Sequence, residues 1–164
     1  MKPLIIFLAL LLVFTAGFTY MGDMAIYRFA SLDMKAAAEE CAIEAAMALD
    51  EEAFGEGRTV FDRGAAAEAA DAVLRDFAKR QRSINIQSYG YAVLGNDDSG
   101  QWAVYSSGFP AGEARDAAAG ASPCESSVKA VFYARTDDFF ALPFLEVTEL
   151  CRAGSYAYEN IIPK

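Results

Sequence analysis

The sequence predicts an α+β chain: an N-terminal transmembrane helix continuing into a long Ala-rich amphipathic helix, a second short helix, and then a four-stranded antiparallel sheet. Three observations predict it. Residues 3–22 carry no charge, residues 21–49 contain no proline and are rich in Ala, Met, Leu and Glu, and beyond residue 83 the apolar residues recur with a period of two. The chain therefore divides into a transmembrane anchor, residues 1–22, and an extracytoplasmic α+β domain, residues 23–164.

The anchor is built from Leu4, Ile5, Ile6, Phe7, Leu8, Leu10, Leu11, Leu12, Val13 and Phe14, interrupted only by Ala9. Twenty helical residues span about 30 Å, one hydrocarbon core. The ten large side chains favour insertion by roughly 3–6 kcal/mol. Two fates follow from this segment: a retained single-pass anchor in the cell membrane, with the N-terminus cytoplasmic and the remainder outside, or a signal peptide cleaved near Thr15-Ala16-Gly17 with the rest secreted. Retention is favoured, because the helix signal runs on past the membrane edge, and Tyr20, Tyr27 and Arg28 fall where interfacial aromatic and snorkelling cationic side chains are expected.

In the helix that follows, Ile26, Phe29, Leu32, Ala36, Ile43 and Met47 fall largely on one face, with Asp33, Lys35, Glu40, Glu44 and Glu51 mostly off it. The face of Phe29, Leu32, Ala36, Ile43 and Met47 is expected to be the packing surface, against a sheet or against other helices. A continuous rod over residues 3–53 would be about 75 Å long, with Gly17 and Gly22 as the places to bend. The glycines of Phe54-Gly55-Glu56-Gly57-Arg58 end it. Asp62 is an N-cap for a second helix over residues 63–82, whose inward face is Ala66, Ala69, Ala70, Val73, Leu74 and Phe77. Lys79, Arg80 and Arg82 complement the dipole at its end. Strands are expected over residues 84–93 and 101–105, joined by a turn at 95–100, then over 127–135 and 145–152, as an antiparallel meander.

Charge and composition exclude several functions. With 14 basic against 23 acidic residues the net charge is −9, so nucleic acid is not an expected partner. The chain has no histidine, which removes Ser-His and Cys-His nucleophile systems and imidazole metal sites. Asn96-Asp97-Asp98-Ser99-Gly100 offers oxygen ligands, but its glycine falls one position early for a calcium loop and no closing Glu follows, so a hairpin turn explains it better. Neighbouring acids such as Glu39-Glu40 point apart on a helix and form no catalytic pair. No Walker loop or dinucleotide fingerprint is present. The expectation is a protein that is not an enzyme, with no metal site, no cofactor and no small-molecule substrate.

Three cysteines allow at most one internal disulfide, in three ways. Cys124 with Cys151 is favoured, because the two flank the hairpin of the last two strands, and closing that loop would contribute roughly 3.5 kcal/mol on a chain-entropy argument. Cys41 is then left over as a small buried residue or as the site of an intermolecular bridge.

The apolar anchor, the run Asp23-Met-Ala-Ile-Tyr-Arg28, the alanine-rich Leu32-Asp-Met-Lys-Ala-Ala-Ala-Glu-Glu-Cys-Ala-Ile-Glu-Ala-Ala46 and Phe54-Gly-Glu-Gly-Arg-Thr-Val-Phe-Asp62 together resemble TadE-like minor pilins, the pseudopilins of tight-adherence (Flp-type) pilus systems. The likeness is one of order and composition and is best over residues 1–77. It implies a membrane-anchored structural or accessory component of a pilus-assembly or related secretion complex, with a pilin-like fold, membrane lipid around its anchor, and other pilin-like or pilus-assembly proteins as partners. Lys2 leads straight into Pro3-Leu4 and no acid lies in the anchor, a departure from the prepilin leader and anchor Glu that points to an accessory role rather than a major pilin. The rival reading is a secreted or anchored binding module that presents Trp102, Tyr105, Phe139, Phe140 and Phe144 as an aromatic patch.

Overall fold

A computed structural model of the chain describes residues 2–80, 86–110, 126–136 and 148–157. Its first element is α1, Lys2–Met47, one helix of 46 residues that passes through Gly17 and Gly22 without a break. At 1.5 Å per residue it is about 69 Å long. It stops before the expected residue 53, because Asp50 accepts the amides of Glu52 (3.0 Å) and Ala53 (3.1 Å) and so starts a separate turn, α2 (Glu51–Gly55). That turn closes in a Schellman motif: the amide of Gly57 (φ 79°) donates to the Phe54 carbonyl at 3.0 Å, and that of Arg58 to the Ala53 carbonyl at 3.0 Å. Asp62 then caps α3 (Arg63–Arg80), accepting the amides of Gly64 and Ala65 at 2.8 and 3.2 Å, as its sequence position predicts.

The strands are β1 (Ile86–Asp97), β2 (Gly100–Tyr105), β3 (Ser127–Thr136) and β4 (Glu149–Ala157), all antiparallel, in the order β2-β1-β3-β4. The sheet is not the expected meander, because β3 pairs with β1 and leaves β2 on the edge. Burial explains the order. The run from Gly90 to Gly95 in β1 and most of β3 are buried on both faces, which suits central strands, whereas the six residues of β2 are largely exposed apart from Trp102. The last strand also sits about four residues later than expected, so that Cys151 lies opposite Tyr133 and Arg152 opposite Phe132.

One face of the sheet carries the main core: α1 lies across β3 and β4, α3 packs on α1 and β1, and Phe77, Leu74, Met34, Phe132, Val93 and Val128 are enclosed between them. The other face holds a smaller cluster of Ala92, Leu94, Val131 and Tyr133, with Phe109 laid over it and Cys151 against it. A long N-terminal apolar helix packed on a four-stranded antiparallel sheet is a pilin-like arrangement.

Candidate functional site

Two opposite faces of α1 are apolar, and they do different things. The inner face is Ala30, Met34, Ala37, Ala38, Cys41, Ala42, Ala45 and Ala46, each at most 1% exposed. Six of these eight are alanine, so the helix axis comes close to the sheet. The two come very close at Gly154 of β4, where even a Cβ would fall 2.3 Å from the Glu39 backbone nitrogen. Just after the apolar segment, Arg152 ties β4 to α1: its Nε donates to Ser31 Oγ at 2.7 Å and its Nη2 to the Tyr27 hydroxyl at 3.5 Å. Tyr27 is therefore half-buried against the head.

The outer face is the one picked out by hydrophobic periodicity as a packing surface against a sheet or against other helices, and it does not meet this chain's own sheet. Phe29 (71%), Leu32 (63%), Ile43 (44%) and Met47 (76%) are exposed, as are Ala36 and Ile26. The reason is that alanine carries little weight in a hydrophobicity pattern, yet it is alanine that permits close backbone packing. The large side chains mark the opposite side of the helix. Large apolar side chains left in water cost solvation free energy, about 25 cal/mol for each Å² of apolar surface, which covering them would recover.

The ten predicted anchor residues, Leu4 to Leu8 and Leu10 to Phe14, run at the start of the same helix with their side chains 47–71% exposed. None of the most apolar stretch of α1 is buried against the rest of the chain, and it is long and apolar enough to cross a membrane. That is the character of a membrane anchor or a signal sequence.

Beside the outer face, Glu40 and Glu44 of α1 and Ala72, Val73, Asp76, Lys79 and Arg80 of α3 line an open groove of about 630 Å³. Its walls carry both signs of charge, and Lys79 bonds Asp76 at 3.2 Å, which suits a solvated seam between helices rather than a pocket for one ion.

At the far pole, the sequence reads from Asn96 to Gly100 as a plain hairpin turn. The turn is there, with Gly100 at φ 111°, but Asp97 does more than turn the chain. It is 8% exposed and accepts four hydrogen bonds: from the Phe61 amide (3.1 Å), the Ser99 amide and hydroxyl (2.8 and 2.6 Å) and the Trp102 indole Nε1 (2.9 Å). Asp98 accepts the Thr59 amide at 2.6 Å and returns its own amide to the Thr59 carbonyl at 3.0 Å. Burial pushes the Asp97 carboxyl up, but the bonds from Ser99, Phe61 and Trp102 outweigh it and hold the group below its ordinary value of 3.8. This latch joins the β1–β2 turn to the segment between α2 and α3.

Of the aromatic patch, Trp102 is buried and Tyr105 exposed at 45%, while Phe139, Phe140 and Phe144 lie outside the described residues. Cys124 also lies outside them, and with it the Cys124–Cys151 pairing. Cys41 and Cys151 sit on opposite faces of the sheet, which separates that pair. Cys41 is fully buried, and burial first, then Glu44 and Glu40, push its thiol up to about 12. An intermolecular bridge through it would require α1 to leave the sheet. Peptide mapping after alkylation of the folded full-length protein is expected to show Cys41 unmodified from pH 7 to 9 and fully modified in denaturant; labelling in the folded state would contradict the burial.

No protein family, no curated protein and no solved structure matches this chain.

Proposed function

We propose that the chain is a membrane-anchored, non-catalytic structural or accessory component of the TadE-like pseudopilin type, acting in a pilus-assembly or related secretion complex. The observation that carries this reading is the two-faced helix. The head takes the alanine face of α1, while Phe29, Leu32, Ile43 and Met47 stay exposed on the side facing away from it, in line with a lipid-seeking segment. An ordinary cover helix would be polar on that side. A helix that must hold its own head and also pack on neighbouring helices needs apolar residues on both.

The function then follows from geometry rather than from a reaction. The anchor fixes the helix in lipid, the helix carries the head outward, and the outer face is available to other pilin-like helices. The test is co-purification from native membranes of the full-length protein with Leu32→Asp or Ile43→Asp. Both side chains are exposed, so the fold is expected to persist with a change within about 0.5 kcal/mol. Recovery of partner proteins and assembly are expected to fall at least tenfold. Unchanged assembly with both substitutions would remove the packing role, and an intact mass lacking roughly the first 17 residues would remove the anchor.

A further inference from the structure

We infer that the outer face of α1 is a self-docking surface, on which a second copy of this chain packs in parallel as a short coiled coil. The inference rests on the membrane-anchored reading, which makes the copies parallel because every anchor enters the same membrane from the same side.

The first observation is spacing. Gly22, Ala25, Phe29, Leu32, Ala36 and Ile43 follow a three-then-four alternation, the a and d positions of a heptad, and all six are exposed. One position of that seam is polar, Glu39, which lies 3.7 Å from Lys35 of its own helix. A single polar residue at such a position lowers stability while fixing register. In the same frame Tyr27, Met34 and Cys41 all fall at f, the side farthest from the seam, and these three face the head. From Met21 to Glu40 the head therefore occupies the back of the helix and leaves the a, d, e and g positions open; beyond it Ala42 at g and Ala46 at d are buried against the head, so the seam ends at Ile43.

The second observation is charge, and it identifies the occupant as another copy. In a parallel coiled coil the g residue of one helix meets the e residue of its partner five positions later. Here Arg28 and Lys35 are at g, Asp33 and Glu40 are at e, and all four are exposed. The five-residue offset sets Arg28 against Asp33 of the other copy and Lys35 against Glu40, opposite charges at both steps. Two turns nearer the membrane, Met21 meets Ile26, an apolar pair. An antiparallel partner would not bring these flanks together, and a different protein would have to reproduce the same alternation by chance. From Gly22 to Ile43 the seam is about 33 Å long.

The test uses the full-length protein in vesicles of neutral phosphatidylcholine, with donor- and acceptor-labelled copies and energy transfer followed as lipid dilutes them. The wild type is expected to associate. Lys35→Glu and Glu40→Lys each set like charges together twice per dimer, and each is expected to weaken self-association roughly tenfold. Mixing the two variants restores opposite charges at both contacts, so the heterodimer is expected to recover wild-type affinity. Because Glu40 also borders the groove with α3, Arg28→Asp mixed with Asp33→Arg repeats the test away from it. A wild type that stays monomeric at all lipid dilutions would overturn the inference, as would single variants whose defect mixing does not repair. Neither result would touch the wider reading, which fails separately if the Leu32→Asp and Ile43→Asp proteins keep their partners in native membranes.

Discussion

Replacing Asp97 with alanine is expected to destabilise the head by about 3–5 kcal/mol, among the largest effects of any single polar substitution in the described residues. The carboxylate accepts from three residues on two segments that are 36 positions apart in sequence where it reaches Phe61. Without it, the Phe61 amide and the Trp102 indole N–H are left in a buried site with no acceptor, at about 1–3 kcal/mol each. The indole is itself tightly held: it lies so close over Gly95 that a Cβ there would be 2.1 Å from the ring, and Phe61 meets the same ring edge-on at 6.4 Å. Asp97→Asn keeps one acceptor oxygen but turns the other into a donor facing donors, so about half the loss is expected.

The same carboxylate predicts a pH dependence. Its native pKa is below the ordinary 3.8, so the folded state holds the charged form more tightly than the unfolded chain does. Its stabilisation is therefore complete above about pH 5 and is lost as pH falls through the native value. Urea midpoints of the full-length protein in micelles, followed by fluorescence of its one tryptophan, provide the check. The wild type should lose stability on acidification from pH 5 to 2, and Asp97→Asn should lose less over that interval. Parallel pH curves for the two proteins would contradict the assignment.

What is legible in the sequence follows from what carries a local signal. The cap at Asp62 and the turn ending at Gly100 are each written in a few adjacent residues, and each is where those residues put it, whereas the long helix ends at Met47, before the glycines expected to end it. The strand order is not local. A short hairpin and a return strand can be read as a meander, and only the two-sided burial of β1 decides that β3 sits beside it. The packing face of α1 escapes periodicity for a different reason: Phe29, Leu32 and Met47 dominate any such pattern, while the face that holds the head is written in Ala37, Ala38, Ala42 and Ala45, whose value lies in their small size. Asp97 carries no more sequence signal than its neighbour Asp98. Its importance arises from Phe61 and Trp102, which the fold brings to it.

Gly154→Val is expected to separate α1 from the sheet, at about 2–4 kcal/mol, and to lower the thermal midpoint by about 5–15 °C. A Cβ at this position meets three atoms of the α1 backbone: Glu39 nitrogen at 2.3 Å, the Ala38 carbonyl carbon at 2.4 Å and Glu39 Cα at 2.5 Å. Because every one belongs to the main chain, no rotamer change relieves the clash, and trimming Ala38 to glycine is expected to rescue none of it. Gly95→Ala provides the contrast, since its clash is with the Trp102 side chain and a smaller residue there would ease it. The displacement would reach further than the crossing point: Arg152, two residues away on β4, would lose its 2.7 Å bond to Ser31, and Cys41 would gain access to thiol reagents. The outer face of α1 is untouched by the change, so a Gly154→Val protein that still self-associates in vesicles while Cys41 becomes reactive would show the two faces of the helix acting independently. A variant as stable as the wild type would mean that the helix does not approach the sheet as closely as the alanine face allows.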